Sequence, residues 1–152
     1  MAVRLAAERK GPIRRLIERD ARDNLLLAEA VIELLQAWAV VRFLPFRRAV
    51  AFGSTPLAEV KSGVSGAQPA WAVSAASAHT PWRSVCFQQG LALQRMLRRR
   101  GVDARLHYGI DNAGELKAHV WVTVDGKIVI GGGPAPEYKC VAIYPEVAKR
   151  AS

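Results

Sequence analysis

A turn dipeptide between two alternating segments gives this chain its clearest structural signal. In KAHVWVTVDGKIVIG, residues 117–131, Asp125 and Gly126 separate two runs that are rich in β-branched residues. Asp-Gly favours the two-residue turn between antiparallel strands, because such turns need positive φ angles. We therefore predict a β-hairpin, with the valines of its first arm on one face and His119 and Trp121 on the other.

A helix is predicted before the hairpin. The segment TPWRSVCFQQGLALQRMLRRRGV, residues 80–102, has apolar residues at helical spacing, with Thr80 or Ser84 as the candidate cap. Arginines fill its last turn and Gly101 supplies a left-handed stop. The spacing places Cys86 on the stripe that faces the core. The arginine run by itself is typical of a solvated helix end.

These elements predict an α+β fold in one domain, residues 1–152. The chain is long enough for one core, and about half of its residues are apolar (51%). We expect a helical N-terminal part at 1–52, a connecting region at 53–79 with one short helix, and a helix followed by antiparallel strands at 80–145.

A second apolar segment raises the question of a membrane span. LLLAEAVIELLQAWAVVRFLPF, residues 25–46, is nearly long enough, but Glu29, Glu33 and Gln36 form one polar stripe on the predicted helix. Each carboxylate at membrane depth would cost about 3 kcal/mol. We therefore predict no transmembrane segment, but a helix that faces the core or a partner.

Charge and cysteine content limit the partners and the compartment. A net charge of +9 favours anionic partners, such as an acidic peptide, a nucleic acid or an anionic membrane, without choosing among them. With two cysteines and no signal peptide, we predict reduced thiols in the cytoplasm. No cysteine–histidine pair has metal-ligand spacing and no phosphate-binding loop is present, so no metal or cofactor is expected.

Cys86 is the candidate nucleophile. A cysteine in the first turn of a helix gains thiolate stability from the helix dipole, and it needs a histidine to accept its proton. Of the histidines, His119 has the best-defined position. Cysteines on apolar stripes more often only pack, and Cys140 is expected to do so, whereas His107 is expected to be half-exposed on a strand.

The run PWRSVCFQQGLALQRMLRRRGVDARLHYGI, followed by LKAHVWVTVDGKIVIGG, resembles the leader-peptidase (B protein) family of lasso-peptide biosynthesis. That family is transglutaminase-like, so the resemblance implies a papain-like cysteine peptidase fold with its catalytic helix packed on a small antiparallel sheet. It implies Cys86 as the nucleophile and His119 as the general base and acid. Helix N–H groups, with Trp82 or Gln88, would bind the oxyanion.

The resemblance also implies an activity and partners. The activity is removal of the leader from a ribosomally made precursor peptide, together with a separate leader-recognition protein and a lasso cyclase, without cofactor or nucleic acid. Three alternatives remain open. The chain could be a catalytically weak or inactive binding or scaffold module of the same complex, or an acyltransferase of the same superfamily. A weaker alternative is nucleic-acid binding through the basic patches.

The sequence departs from the family at the third member of the triad. The family has an Asp about a dozen residues after the His, to orient the imidazole. Here that position is Gly131, and a regular hairpin would place Gly132 opposite His119. We expect a backbone carbonyl, a water or a polar group of residues 111–115 to orient His119. An acid from a partner, or an inactive enzyme, would also account for the glycines.

Overall fold

The computed structural model describes residues 20–111, 113 and 117–146. Within them lie four α-helices and one four-stranded sheet, which confirms the α+β class. The helices are α1 (Ala21–Phe43), α2 (Phe46–Gly53), α3 (Ala67–Ser77) and α4 (Cys86–Arg99). The strands are β1 (Ala104–Asp111), β2 (Ala118–Val124), β3 (Lys127–Ile130) and β4 (Tyr138–Tyr144), with a short 3-10 helix, Ala135–Glu137, before β4.

The sheet is antiparallel throughout, in the order β3-β2-β1-β4. The predicted hairpin forms β2 and β3, and Val124 pairs with Lys127 across the turn. Asp125 and Gly126 have φ angles of 49° and 76°, as a turn of this kind requires. The ladder is not regular, however, because the register shifts beyond Thr123 and Val122 pairs with Ile130.

Helix α4 packs on one face of the sheet through Gly90. A Cβ built on Gly90 would lie 2.8 Å from Cγ1 of Val120 and 3.2 Å from Cδ1 of Leu106, so the absence of a side chain lets the helix approach the strands closely. Next to this contact Leu93 and Leu97 are fully buried. The predicted core-facing stripe of the helix is therefore correct.

Helix α4 runs in the same direction as β2. Leu97, near its end, and Val124, at the end of β2, both lie beside Gly66, at 3.6 Å and 3.4 Å from a Cβ built there. Gly90 lies beside Val120, nearer the beginning of β2. The start of α4 is therefore at the edge of the sheet where β2 begins.

An ion-paired seam joins α1 to α4. Glu33 is only 2% exposed, with Nη1 of Arg99 at 2.6 Å from Oε1 and Nε of Arg95 at 3.2 Å from Oε2. Glu29 accepts two hydrogen bonds from Arg100, at 2.8 and 2.5 Å, and these bonds hold the pKa of Glu29 below its usual value. The polar stripe of α1 therefore meets the arginines of α4.

The sequence suggested a solvated helix end, but all three arginines of the run are ion-paired, and only Arg99 stays more than half exposed. Arg98 is buried and donates to the carbonyl of Thr55 at 2.6 Å and to Asp103 at 2.9 Å. Gly101, with a φ angle of 78°, ends the helix in the left-handed conformation that was predicted.

Helices α3 and α1 also contribute to the core. The connecting region, which was expected to contain one short helix, holds α3, whose residues Ala72 and Val73 are fully buried. Among the described residues, α1 is the helix whose length and mean hydropathy of 1.6 would allow a membrane span. It packs against α3 and α4 with Leu34 fully buried, while most of its apolar window is exposed, including Leu25 and Phe43.

Substitution of Gly90 with Ala tests the contact between α4 and the sheet. We expect a loss of about 1 kcal/mol in the free energy of unfolding, because overpacking costs about 1–3 kcal/mol and alanine's helix propensity returns up to about 1 kcal/mol. Denaturant titration followed by circular dichroism measures it.

Gly133→Ala is the matched control, since a Cβ there meets no atom within 4 Å. It should change stability by less than about 0.5 kcal/mol. A Gly90→Ala variant as stable as the parent chain would contradict the close approach.

Candidate functional site

Cys86 is the first residue of α4, and its side chain is partly buried against the core. The helix begins later than either predicted cap, because Val85 is the capping residue and its N–H donates to Oε1 of Gln88 at 2.9 Å. Thr80 instead bonds the carbonyls of Ser77 and Trp82. The first N–H groups of a helix lack intrahelical partners and carry partial positive charge, so donors of hydrogen bonds lie beside the thiol.

The two predicted oxyanion donors differ in their surroundings. Gln88 is buried and its side-chain oxygen caps the helix, so that it has a structural task. The Nε1 atom of Trp82 is buried and has no hydrogen-bond partner among the residues that the structure describes. A buried N–H without an acceptor costs about 1–3 kcal/mol. Trp82 therefore keeps a desolvated donor four residues before Cys86.

The imidazole of His119 is held by the backbone of the residue at the predicted acid position. Its Nε2 atom lies 2.8 Å from the carbonyl oxygen of Gly131. A carbonyl can only accept, so Nε2 carries the proton and Nδ1 of the neutral ring has a free lone pair. Gly131 has a φ angle of 79°, and a Cβ there would lie 2.6 Å from the oxygen of Val120. Glycine is thus required where the family has a carboxylate.

The pairing that sequence counting gave for His119 is wrong. A regular hairpin would place Gly132 opposite His119, but the bulge at Val122 shifts the register and the ladder ends at Ile130. This irregularity leaves the oxygen of Gly131 out of the ladder and open to the histidine ring. A backbone carbonyl, the first of the expected alternatives, therefore orients the imidazole.

Cys86 and His119 lie at the same end of the sheet. Cys86 precedes Gly90 by about 6 Å along the helix axis, and Ala118 precedes Val120 by about 6.6 Å along the strand. The contact between Gly90 and Val120 therefore brings Cys86 level with the first residues of β2.

Their side chains, however, start from opposite faces. Val120 points toward α4, so its neighbour His119 points away from the helix. There the ring lies beside Trp121 and Tyr138, with ring centroids 6.1 and 5.1 Å apart. In the part of the chain that the structure describes, no hydrogen bond joins the Cys86 thiol to His119.

A different thiol–imidazole pair occupies the face away from α4, which we call the open face. Sγ of Cys140 lies 3.7 Å from Nδ1 of His107, and Nε2 of the same ring lies 2.8 Å from Oγ1 of Thr123. The ring of His107 stacks on Trp121, with centroids 5.5 Å apart, and burial lowers its pKa. His107 is partly buried, as expected, but Cys140 is exposed and does not pack in the core.

Sequence reasoning missed this pair because the register between β1 and β4 was unknown. The register shifts between Tyr108 and Gly109, so that Cys140 pairs with Gly109 while Ile143 pairs with His107. The alternation of β1 could have indicated that His107 shares a face with Trp121, but only the bulge brings Cys140 beside the ring. Among the described residues, no group of three or more side chains could hold a metal ion.

Comparison with protein families identifies the fold. The model of the transglutaminase-like superfamily matches residues 2–142. The chain belongs to the transglutaminase-like superfamily. Its helices and small antiparallel sheet agree with the papain-like fold that the resemblance implied. The superfamily includes cysteine peptidases and acyltransferases. Comparison with curated proteins and with solved structures gives no significant match.

The hydrogen bond between His119 and Gly131 predicts a single tautomer. At neutral pH we expect the neutral ring to carry its proton on Nε2, because only that nitrogen faces a carbonyl. Nitrogen chemical shifts of the ring, measured by NMR, distinguish the tautomers. The exposed His79 provides the reference for an unconstrained ring in the same sample. A ring protonated mainly on Nδ1 would contradict this arrangement.

Proposed function

We propose that this chain is a cytoplasmic cysteine peptidase that removes the leader from a ribosomally synthesised lasso-peptide precursor. It acts with a separate leader-recognition protein and delivers the core peptide to a lasso cyclase. The observation that carries the proposal is the position of Cys86, the first residue of α4 in a chain of the transglutaminase-like superfamily. The net charge of +9 suits an acidic leader peptide.

The proposed reaction is acyl transfer through a thioester. Nδ1 of His119 accepts the thiol proton, and Sγ of Cys86 attacks the scissile carbonyl carbon. The oxyanion accepts hydrogen bonds from N–H groups at the start of α4 and from Nε1 of Trp82. His119 then gives its proton to the leaving amine, and water, deprotonated by His119, hydrolyses the thioester to release Cys86.

Two features of this chain affect that reaction. Cys86 and His119 start from opposite faces, so the thiol and Nδ1 of His119 have to meet at the end of the sheet when substrate binds, since catalytic contacts often tighten only in the complex. The carbonyl of Gly131 fixes the tautomer but has no charge to balance an imidazolium. We therefore expect slower turnover than with a carboxylate.

A noncatalytic binding or scaffold module is the second candidate. It is favoured by the separation of Cys86 from His119 and by the glycine at the acid position. An acyltransferase would share every step through the thioester and differ only in the acceptor, an amine instead of water.

Replacement of Cys86 separates these candidates. We expect the parent chain to cleave a precursor peptide in the presence of its leader-recognition protein, both taken from genes beside this one. Cys86→Ala should lose at least about a thousandfold in rate, because no other group replaces the nucleophile. Mass spectrometry of the products measures the cleavage.

Cys140→Ala, the other single-thiol variant, is the matched comparison. Cleavage retained there and lost in Cys86→Ala assigns the nucleophile to Cys86. Undiminished cleavage by Cys86→Ala would overturn the proposal. The absence of cleavage by the parent chain, with tight binding of the precursor, would favour the binding module. An amide product formed with added amine would favour the acyltransferase.

Substitution of Trp82 with Phe tests the oxyanion donor. We expect kcat to fall about a hundredfold or more with little change in KM, because the donor acts on charge that develops during the reaction. Stability should not fall by more than about 1 kcal/mol, since the substitution removes a buried donor that has no acceptor. Thermal unfolding and cleavage kinetics are measured on the same samples. An unchanged kcat would exclude Trp82 from the oxyanion site.

A further inference from the structure

The open face carries a thiol, a base and an orienting hydroxyl that the proposed peptidase reaction does not use. Cys140 is exposed, and its sulfur lies 3.7 Å from Nδ1 of His107. The other ring nitrogen lies 2.8 Å from Oγ1 of Thr123, which is buried. The three residues come from three strands, β4, β1 and β2.

The hydrogen bonds allow a protonation pattern of the His107 ring in which Nδ1 accepts the thiol proton. When Nε2 carries the proton and donates it to Oγ1 of Thr123, Nδ1 is left as an acceptor that faces the thiol. Burial lowers the pKa of His107, which keeps the ring neutral and able to accept a proton. Stacking on Trp121 further fixes the plane of the ring, with an interplanar angle of 12°.

We propose that Cys140 and His107 form a second thiol site, which exchanges with low-molecular-weight disulfides to give a mixed disulfide on Cys140. Nδ1 of His107 takes the thiol proton and Sγ attacks one sulfur of the disulfide. One S–S bond forms and one breaks, and the leaving thiolate takes the proton from His107. Cys140 is oxidised and half of the disulfide is reduced to a free thiol, so no further oxidant is needed.

The exposure of Cys140 and the positive charge of the chain both favour reaction with a small anionic disulfide. The exposed sulfur can be reached from solvent, whereas Cys86 is partly buried. Oxidised glutathione is a small anionic disulfide, and the net charge of +9 favours its approach. The sulfur also lies 3.4 Å from the carbonyl oxygen of Ala142, which can accept a hydrogen bond from the S–H group when His107 does not. Reaction therefore depends on the ring competing successfully for the thiol proton.

The test uses Cys86→Ala chains, in which Cys140 is the sole thiol. The rate of thiol release from oxidised glutathione is measured for the folded chain and for the same chain unfolded in denaturant. Mass spectrometry locates the mixed disulfide. We expect the folded chain to react about fivefold faster, because Nδ1 of His107 lies within reach of the thiol and can take its proton as Sγ attacks.

Second substitutions assign the effect to the site. His107→Gln should remove the fivefold advantage, Thr123→Val should remove about half of it, and Thr123→Ser, which keeps the hydroxyl, should restore it. Thermal unfolding checks that each variant folds. Equal rates for the folded and unfolded parent, or an unchanged rate in folded His107→Gln, would overturn the proposal. Because Cys86 is absent throughout, neither result bears on the proposed peptidase activity.

Discussion

A buried carboxylate between two helices determines where the candidate nucleophile stands. Glu33 of α1 is paired with Arg95 and Arg99 of α4 and is almost fully removed from solvent. Without both arginines the buried carboxylate would be uncompensated, and leaving a charge in that state typically costs about 3–5 kcal/mol. The seam therefore selects one register of α4 against α1. Gly90 then fixes the same helix against the sheet, and Cys86 is set at its end.

The two faces of the sheet carry different candidate reactive groups. Its α4 side is apolar and ends beside the helix start that carries Cys86. Its open face holds His107, Trp121 and His119 in one stack, with Trp121 between the two imidazoles. Strand alternation produces this division, since Val120 and its alternate neighbours fill the core and the intervening residues are left for polar contacts.

Both histidines are oriented by groups other than carboxylates. A backbone carbonyl holds His119 and a threonine hydroxyl holds His107. In each case Nε2 is the bonded nitrogen and Nδ1 is left to face solvent or a thiol. Register irregularities create both arrangements, one freeing the carbonyl of Gly131 and the other bringing Cys140 beside His107.

The sequence by itself determined the parts that depend on local rules. Hydrophobic spacing gave the core-facing stripe of the helix that carries Cys86, and the Asp125-Gly126 turn gave the hairpin, because periodicity and turn geometry involve neighbouring residues. The helix stop at Gly101 follows from the same kind of rule. Motif resemblance supplied the superfamily, which the family comparison confirms.

Only the tertiary structure decided the features that join distant segments. Nothing local distinguishes an arginine run in solvent from one that binds Glu29 and Glu33, since their positions are set by helix packing. The partners of His119 and Cys140 depend on bulges that alter strand register by one residue, and a shift of that size changes which groups meet. The contacts of His107, His119 and Cys140 were therefore fixed by the folded sheet.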